Sequence, residues 1–549
     1  MTLAQNTLFL VLCTAVYAVN PTVILDNGTF IGSALGTIDS FLGIPFALPP
    51  VGELRFRAPQ PNDPYRGLYN AGAFGPACIQ QPLNLPDIVN PTALSSLTEI
   101  LSALPTPAAE DEDCLTLDIV KPAGVTSESK LPVVYWIFGG GFEIGYSAIY
   151  NGSAIVERSL ELGMPVVYVA VNYRLSALGF PAGKETREAG NGNLGFQDQR
   201  EGLRWVQKYI AAFGGDPTKV MIWGESAGAI SVAAQMLMNN GDTEGLFRAA
   251  FAESGSPIPT NTVESNQAIM DKFVTTAGCG DELGSSAVFD CLRSVSIEAI
   301  RTGINATPGL GFVEYTSIYR GWNPTSDGVT IPEPFLQMVL NSNIANIPLV
   351  SGDCDDEGTA FSLSNSNITT SSEFEDYITE LCAGGNRIAV EPLFSAYPED
   401  PTVGSPYDTG TKNNLTSQFK RLASISGDFF FEAPRRLFLQ RIADKQPVYS
   451  YITKRMKSQP VLGAFHTSDL FNVFGPGDMT DYLIRFATTL DPNSGNTNVT
   501  EIQWPRYTLE GKKILTFLDG KVPLRIEEDT FRDEEIKTMT KFLLANPLP

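Results

Sequence analysis

Gly224-Glu225-Ser226-Ala227-Gly228 sets a serine between two glycines, a spacing suited to nucleophilic attack on a carbonyl carbon. Small neighbours are needed because a tight, strained turn from strand to helix must hold the hydroxyl clear of the backbone. A serine hydroxyl attacks an ester only with a base whose pKa lies near the working pH, and histidine is the usual one. The chain contains one histidine, so His466, within Gly463-Ala464-Phe465-His466-Thr467-Ser468-Asp469, is the candidate base. A carboxylate must orient the imidazole, and in the chain order serine, acid, histidine it falls between the other two. Asp353, Asp355, Asp356 and Glu357 follow the apolar run 347–350, and physical reasoning alone leaves all four open. The tetrahedral intermediate needs backbone N–H donors for its oxyanion. Phe138-Gly139-Gly140-Gly141-Phe142 supplies bare backbone after an apolar run, and Ala227, next to the serine, supplies another N–H. Together these residues predict acyl transfer through a covalent serine ester. Neither His pairs nor Cys-x-x-Cys spacing occurs, which argues against a zinc site, and no cofactor is implied.

Elements that could carry these residues are legible. Runs 131–138, 165–171 and 220–223 are rich in Val and Ile and read as strands buried on both faces. Between them, 197–212 has Leu203, Val206, Ile210 and Phe213 at helical spacing and is closed by Gly214-Gly215. Alternating strand and helix predicts an α/β fold with a large, mostly parallel mixed sheet flanked by helices. Residues 22–34 read as two short strands around Asp26-Asn27-Gly28, which predicts an N-terminal antiparallel edge. No repeat, low-complexity stretch or linker of domain-boundary length interrupts the chain, so 19–549 is expected to form one domain with long insertions.

Composition bounds the setting. Hydrophobic residues are 43% and charged residues 18% of 549, ordinary globular values. A formal charge of −23 without a basic cluster would repel a phosphate backbone, which excludes nucleic acid as a partner. Residues 1–18 carry an apolar run, 8–12, followed by Val16-Tyr17-Ala18, and read as a signal peptide for secretion to the extracellular space. Its removal takes Cys13 and leaves six of seven cysteines, an even number suited to an oxidising compartment. Sequons at Asn27, Asn151, Asn305, Asn367, Asn414 and Asn498 are candidate glycosylation sites. No later run approaches the length of a membrane span.

These motifs resemble the type-B carboxylesterase and lipase family over nearly the whole mature chain. Phe213-Gly214-Gly215-Asp216-Pro217, running on to the Ser226 pentapeptide, resembles its active-serine signature, and Glu112-Asp113-Cys114-Leu115-Thr116-Leu117-Asp118-Ile119 its second signature. The resemblance implies an α/β-hydrolase fold, with Glu357 of Asp356-Glu357-Gly358-Thr359 as the acid and His466 of a Gly-x-Phe-His loop as the base. It puts the oxyanion donors on Gly140, Gly141 and Ala227. Within the family the chain looks most like secreted fungal lipases and sterol esterases, because Phe138 rather than a histidine precedes the glycine loop. Such enzymes carry a lid, here about 78–114, between cysteines matching Cys78 and Cys114. Leu94, Leu97, Ile100, Leu101 and Leu104 form an apolar helical stripe within it. Cys279 and Cys291 resemble the family's second bridge, whereas Cys354 and Cys382 have no counterpart, leaving a third bridge and a buried thiol both open. Phe361 resembles a residue lining the acyl-chain tunnel. The expected substrate is a lipid ester, triacylglycerol or steryl and other long-chain fatty ester, met at an oil–water interface by a monomer or a lid-paired dimer. The alternatives are a short-chain carboxylesterase and a non-catalytic binding homologue.

Overall fold

A computed structural model describes residues 20–82, 109–150, 152–309, 321–494 and 502–546, with positions 91, 92, 95, 96, 98 and 315. Its strands are β1 (Thr22–Leu25), β2 (Asn27–Ile31), β3 (Ser33–Leu35), β4 (Ile38–Pro45), β5 (Arg66–Asn70), β6 (Thr116–Pro122) and β7 (Leu131–Ile137). They continue with β8 (Val167–Val171), β9 (Gly215–Glu225), β10 (Ala249–Glu253), β11 (Leu349–Cys354), β12 (Val448–Lys454), β13 (Lys513–Leu518) and β14 (Leu524–Glu528). Eleven form one sheet in the order β14-β13-β12-β11-β10-β9-β7-β8-β6-β4-β3.

The strands from β8 through β7, β9, β10, β11 and β12 to β13 run parallel, as the alternation of apolar runs with helical stretches predicts. Val133 to Ile137 of β7 and Val167 to Val171 of β8 are buried without alternation, the mark of strands covered on both faces. Helices do the covering. Leu194–Tyr209 starts three residues earlier than its apolar spacing indicates and ends in a 3-10 turn, Ile210–Phe213, with Gly214 left-handed at φ 86°.

Antiparallel strands close both sides of the sheet: β6, β4 and β3 on one, β14 on the other. The hairpin expected over 22–34 forms, with Leu25 opposite Gly28 and Asp26 at φ 51°, but joins a separate sheet with β5. Chain continuing past Gly32 into β3 supplies the edge of the large sheet instead. A side chain at Gly32 would stand 2.4 Å from the Ser40 carbonyl, so the crossing there is close. Alternation signals a hairpin; it does not say which sheet the hairpin joins.

Two disulfides form, Cys78–Cys114 and Cys279–Cys291. Cys354 and Cys382 are buried thiols with no disulfide between them. The candidate signal peptide and the stripe Leu94, Leu97, Ile100, Leu101 and Leu104 lie outside the described residues, as do Asn151 and Asn498. Among the described residues, no helix is long and apolar enough to cross a membrane.

Candidate active site

Ser226 sits between the end of β9 and the helix Ala227–Gly241, with φ 56° and ψ −126°. Such a backbone costs a non-glycine residue about 1–3 kcal/mol and persists only where its surroundings impose it. The Ser226 N–H donates to the Glu253 carbonyl at 2.9 Å, and a Cβ on Gly228 would lie 2.0 Å from the Ile137 carbonyl of β7. Strand and helix therefore meet too closely for any residue but glycine, and the turn lifts the serine into a half-exposed position.

His466 joins the other two residues of the predicted set. Its Nε2 lies 2.8 Å from Ser226 Oγ and its Nδ1 2.5 Å from Glu357 Oε2. A carboxylate on Nδ1 keeps the ring proton there and leaves Nε2 as the acceptor facing the serine hydroxyl. The other Glu357 oxygen accepts the Cys354 N–H at 2.6 Å. Burial pushes the imidazole pKa down to about 4, against the pull of Asp469, so the ring is neutral around pH 7.

The four carboxylates left open by sequence separate cleanly. Asp353 pairs with Arg435 at 2.8 Å and Asp355 with Lys457 at 2.5 Å. Asp356 accepts from Lys457 Nζ at 2.7 Å, the Tyr407 N–H at 2.8 Å and the Ala464 N–H at 2.8 Å. Its own N–H donates to the Ala464 carbonyl at 2.9 Å, making a one-residue parallel bridge with Phe465. Glu357 alone of the four reaches the histidine, and the bridge beside it brings the acid and histidine loops together.

The glycine loop lies against the nucleophile. A Cβ on Gly139 would come within 2.9 Å of Ser226 Cβ, and one on Gly140, at φ 115°, would lie 2.2 Å from the Ile144 carbonyl. Ala227 opens the helix, where backbone N–H groups have no acceptor within the helix. Phe361 is buried, with its ring 5.0 Å from the His466 ring and 5.7 Å from Phe431, which itself packs 4.7 Å from the imidazole. Of the described sequons, Asn27, Asn305 and Asn367 are exposed and Asn414 is half-buried.

Sequence reasoning missed the carboxylates behind this site, although Glu225 and Asp469 both stand inside the motifs quoted for Ser226 and His466. Glu225, 3.5 Å from His466 Nε2, and Glu253 are fully buried, and burial first and neighbouring carboxylates second hold both well above the usual range. Asp469 accepts from Tyr451 Oη at 3.1 Å and Ser254 Oγ at 3.3 Å. Their burial, the property that sets their protonation, is a tertiary fact.

Comparison with known proteins shows the family and the fold. Residues 19–534 match the model of the Carboxylesterase family. A secreted triacylglycerol lipase of Gibberella zeae is 39% identical over 96% of this chain and 91% of its own. Lipase 5 of Diutina rugosa is 40% identical over 89% and 90%. The crystal structure of Aspergillus niger EstA superposes with a TM-score of 0.80 at 28% identity, covering 95% of this chain and 99% of the other. With nearly all of the chain matched in sequence and in architecture, this protein is an α/β-hydrolase that belongs to the carboxylesterase family and hydrolyses carboxylic esters.

Proposed function

We propose that this chain is a secreted lipase, hydrolysing carboxylic esters of lipids through an acyl-enzyme on Ser226. The observation that carries the mechanism is His466 bridging Ser226 and Glu357 at 2.8 and 2.5 Å. Ser226 Oγ attacks the carbonyl carbon while His466 Nε2 takes its proton, and Glu357 holds the ring and offsets the charge it gains. The negative oxygen is met by the N–H groups of Gly140, Gly141 and Ala227, each worth about 3 kcal/mol of transition-state stabilisation. Collapse expels the alcohol, which receives the proton from His466. Water, deprotonated by the same imidazole, then releases the fatty acid and frees Ser226.

A lipid substrate is supported by the relatives, named as lipases, and by apolar side chains on the loops of the site. Leu363, Phe419, Val461, Leu462 and Phe465 form an apolar cluster against which Ile144 of the glycine loop packs. Phe361 and Phe431 wall the imidazole and fit the start of an acyl-chain path. The signal sequence 1–18, the sequons and the two disulfides support export, with 19–549 as one catalytic domain.

Initial rates on p-nitrophenyl esters from acetate to palmitate, with emulsified triolein and cholesteryl oleate, test the reading. Long chains and emulsions should be preferred, and Ser226→Ala should abolish turnover and labelling by an organophosphonate while the protein stays folded. Hydrolysis surviving in that variant would sink the mechanism. Attack on acetate or butyrate alone would make the protein a short-chain carboxylesterase.

A further inference from the structure

We propose that Gln80 is a positioning residue for the oxyanion loop, clamping the turn that sets the direction of the Gly140 and Gly141 N–H groups. The inference rests on the reading of those groups as oxyanion donors. A peptide group is planar, so whatever fixes its carbonyl also fixes the N–H on the far side. The Gly140 carbonyl, in one plane with the Gly141 N–H, accepts the N–H groups of Glu143 and Ile144 at 3.1 and 3.0 Å. The Gly139 carbonyl, in one plane with the Gly140 N–H, abuts Gly145: a Cβ there would lie 2.6 Å from that oxygen. Both donor planes are thus buttressed by the turn 143–145.

That turn is held by the two residues that follow the Cys78 bridge by two and three positions. The Gly145 N–H donates to Gln80 Oε1 at 2.6 Å, and Gln80 Nε2 donates back to the Gly145 carbonyl at 3.2 Å. A single carboxamide therefore closes a ring of two hydrogen bonds with one residue's backbone, which fixes both its distance and its plane. Gln80 Nε2 also donates to the Cys78 carbonyl at 2.6 Å, and the Gln80 N–H donates to Glu110 Oε2 at 3.3 Å. Glu110 is in turn paired with Arg301 at 2.7 Å. Gln81 adds a backbone bond, its N–H to the Glu143 carbonyl at 2.8 Å, and buries its side chain against Ile304, Thr307 and Pro308. The loop has other ties: the Tyr173 hydroxyl on the Phe138 carbonyl and the Ser176 N–H on the Phe142 carbonyl fall before the turn, and the Trp322 N–H reaches Glu143 Oε1 at 3.3 Å at its first residue. Gln80 is the side chain that grips Gly145 from both its polar groups.

Donors aimed at an oxyanion lose much of their effect when displaced by about half an ångström, so loosening the turn should cost turnover rather than binding. The test is Gln80→Met, similar in volume and without the hydrogen bonds, assayed with p-nitrophenyl butyrate, a trifluoromethyl ketone inhibitor and thermal unfolding. The expected result is a kcat lower by about 10- to 100-fold, KM within about twofold, and a ketone Ki raised by the same factor as kcat falls. A merely structural role would lower the melting temperature without tying Ki to kcat. If Gln80→Met does not fold, Gln80→Glu, which keeps the acceptor for the Gly145 N–H and loses the donor, carries the same comparison. A kcat within twofold of the parent, or a loss of kcat with Ki unchanged, would overturn the proposal. Hydrolysis by Ser226→Ala, run alongside, would instead overturn the serine mechanism on which it rests.

Discussion

At the scale of single residues, His466, the proposed base, shows how environment sets a side chain's protonation. Its imidazole is buried, and burial disfavours the charged form, pushing its pKa down to about 4 from an ordinary value of 6.5. Hydrolysis needs this ring neutral. As pH falls, kcat/KM should therefore hold through the ordinary histidine range and decline only near pH 4; a profile of kcat/KM on a soluble ester, whose acid limb reports the free enzyme, checks this. An acid limb centred near 6.5 would show that the buried carboxylates behind the ring, Asp469 first among them, fully offset its desolvation. Being the one histidine made His466 legible in sequence. Glu357 was legible only through family resemblance, since four neighbouring carboxylates are chemically equivalent until contacts with Arg435 and Lys457 claim three of them.

Elements position these residues, and the decisive one is small: the bridge between Asp356 and Phe465. Asp356 binds the Ala464 backbone through its own N–H and its carboxylate, and draws on Lys457 and Tyr407 from other segments. Even Gly463 follows from this, because a Cβ there would lie 2.2 Å from the Asp356 carboxylate. Replacing Asp356 by Ala should cost about 2 kcal/mol, less than an isolated buried pair because Lys457 keeps Asp355. It should also lower kcat at least about tenfold by releasing the histidine loop, with Asp356→Asn recovering most of the rate. Denaturant titration and kcat measured together decide the matter: a stability loss with kcat intact would assign Asp356 to folding alone. The parallel strands and the long helix were readable because period and composition act locally. The hairpin's membership of a second sheet was not, since partners depend on where the chain turns at Gly32.

Across the whole molecule, a net charge of −23 meets a set of carboxyls buried at and around the site. Burial raises Asp118 and Asp356 to about 6, and holds Glu225 and Glu253 above the usual range. A carboxyl whose pKa is higher folded than unfolded binds more protons in the native state, so stability rises as pH falls through that window. Self-repulsion fades in the same direction toward the pI of about 4.5. Below that, ion-paired carboxylates such as Glu264, held down to about 2 by Arg187, lose their contribution as they protonate. The melting temperature should therefore be higher near pH 5 than near pH 7.5 and fall again in strong acid. A scan across that range that peaks at neutral pH would contradict this sign.

By itself the sequence determined the local chemistry: a serine in a strained elbow, a single histidine, a glycine run and the alternation of strand and helix that brings them to one end of a sheet. These are legible because they depend on residues a few positions apart. Tertiary structure decided everything that depends on distance in space. It chose Glu357 over its neighbours by a 2.5 Å contact across 109 residues, left Cys354 and Cys382 as buried thiols, and buried Glu225 behind the base. It also set Gln80 against Gly145 across 65 residues. The physical reason is common to all four: spacing along a chain fixes which side chains exist and which way a short element turns, while burial and partnership arise only when remote segments pack.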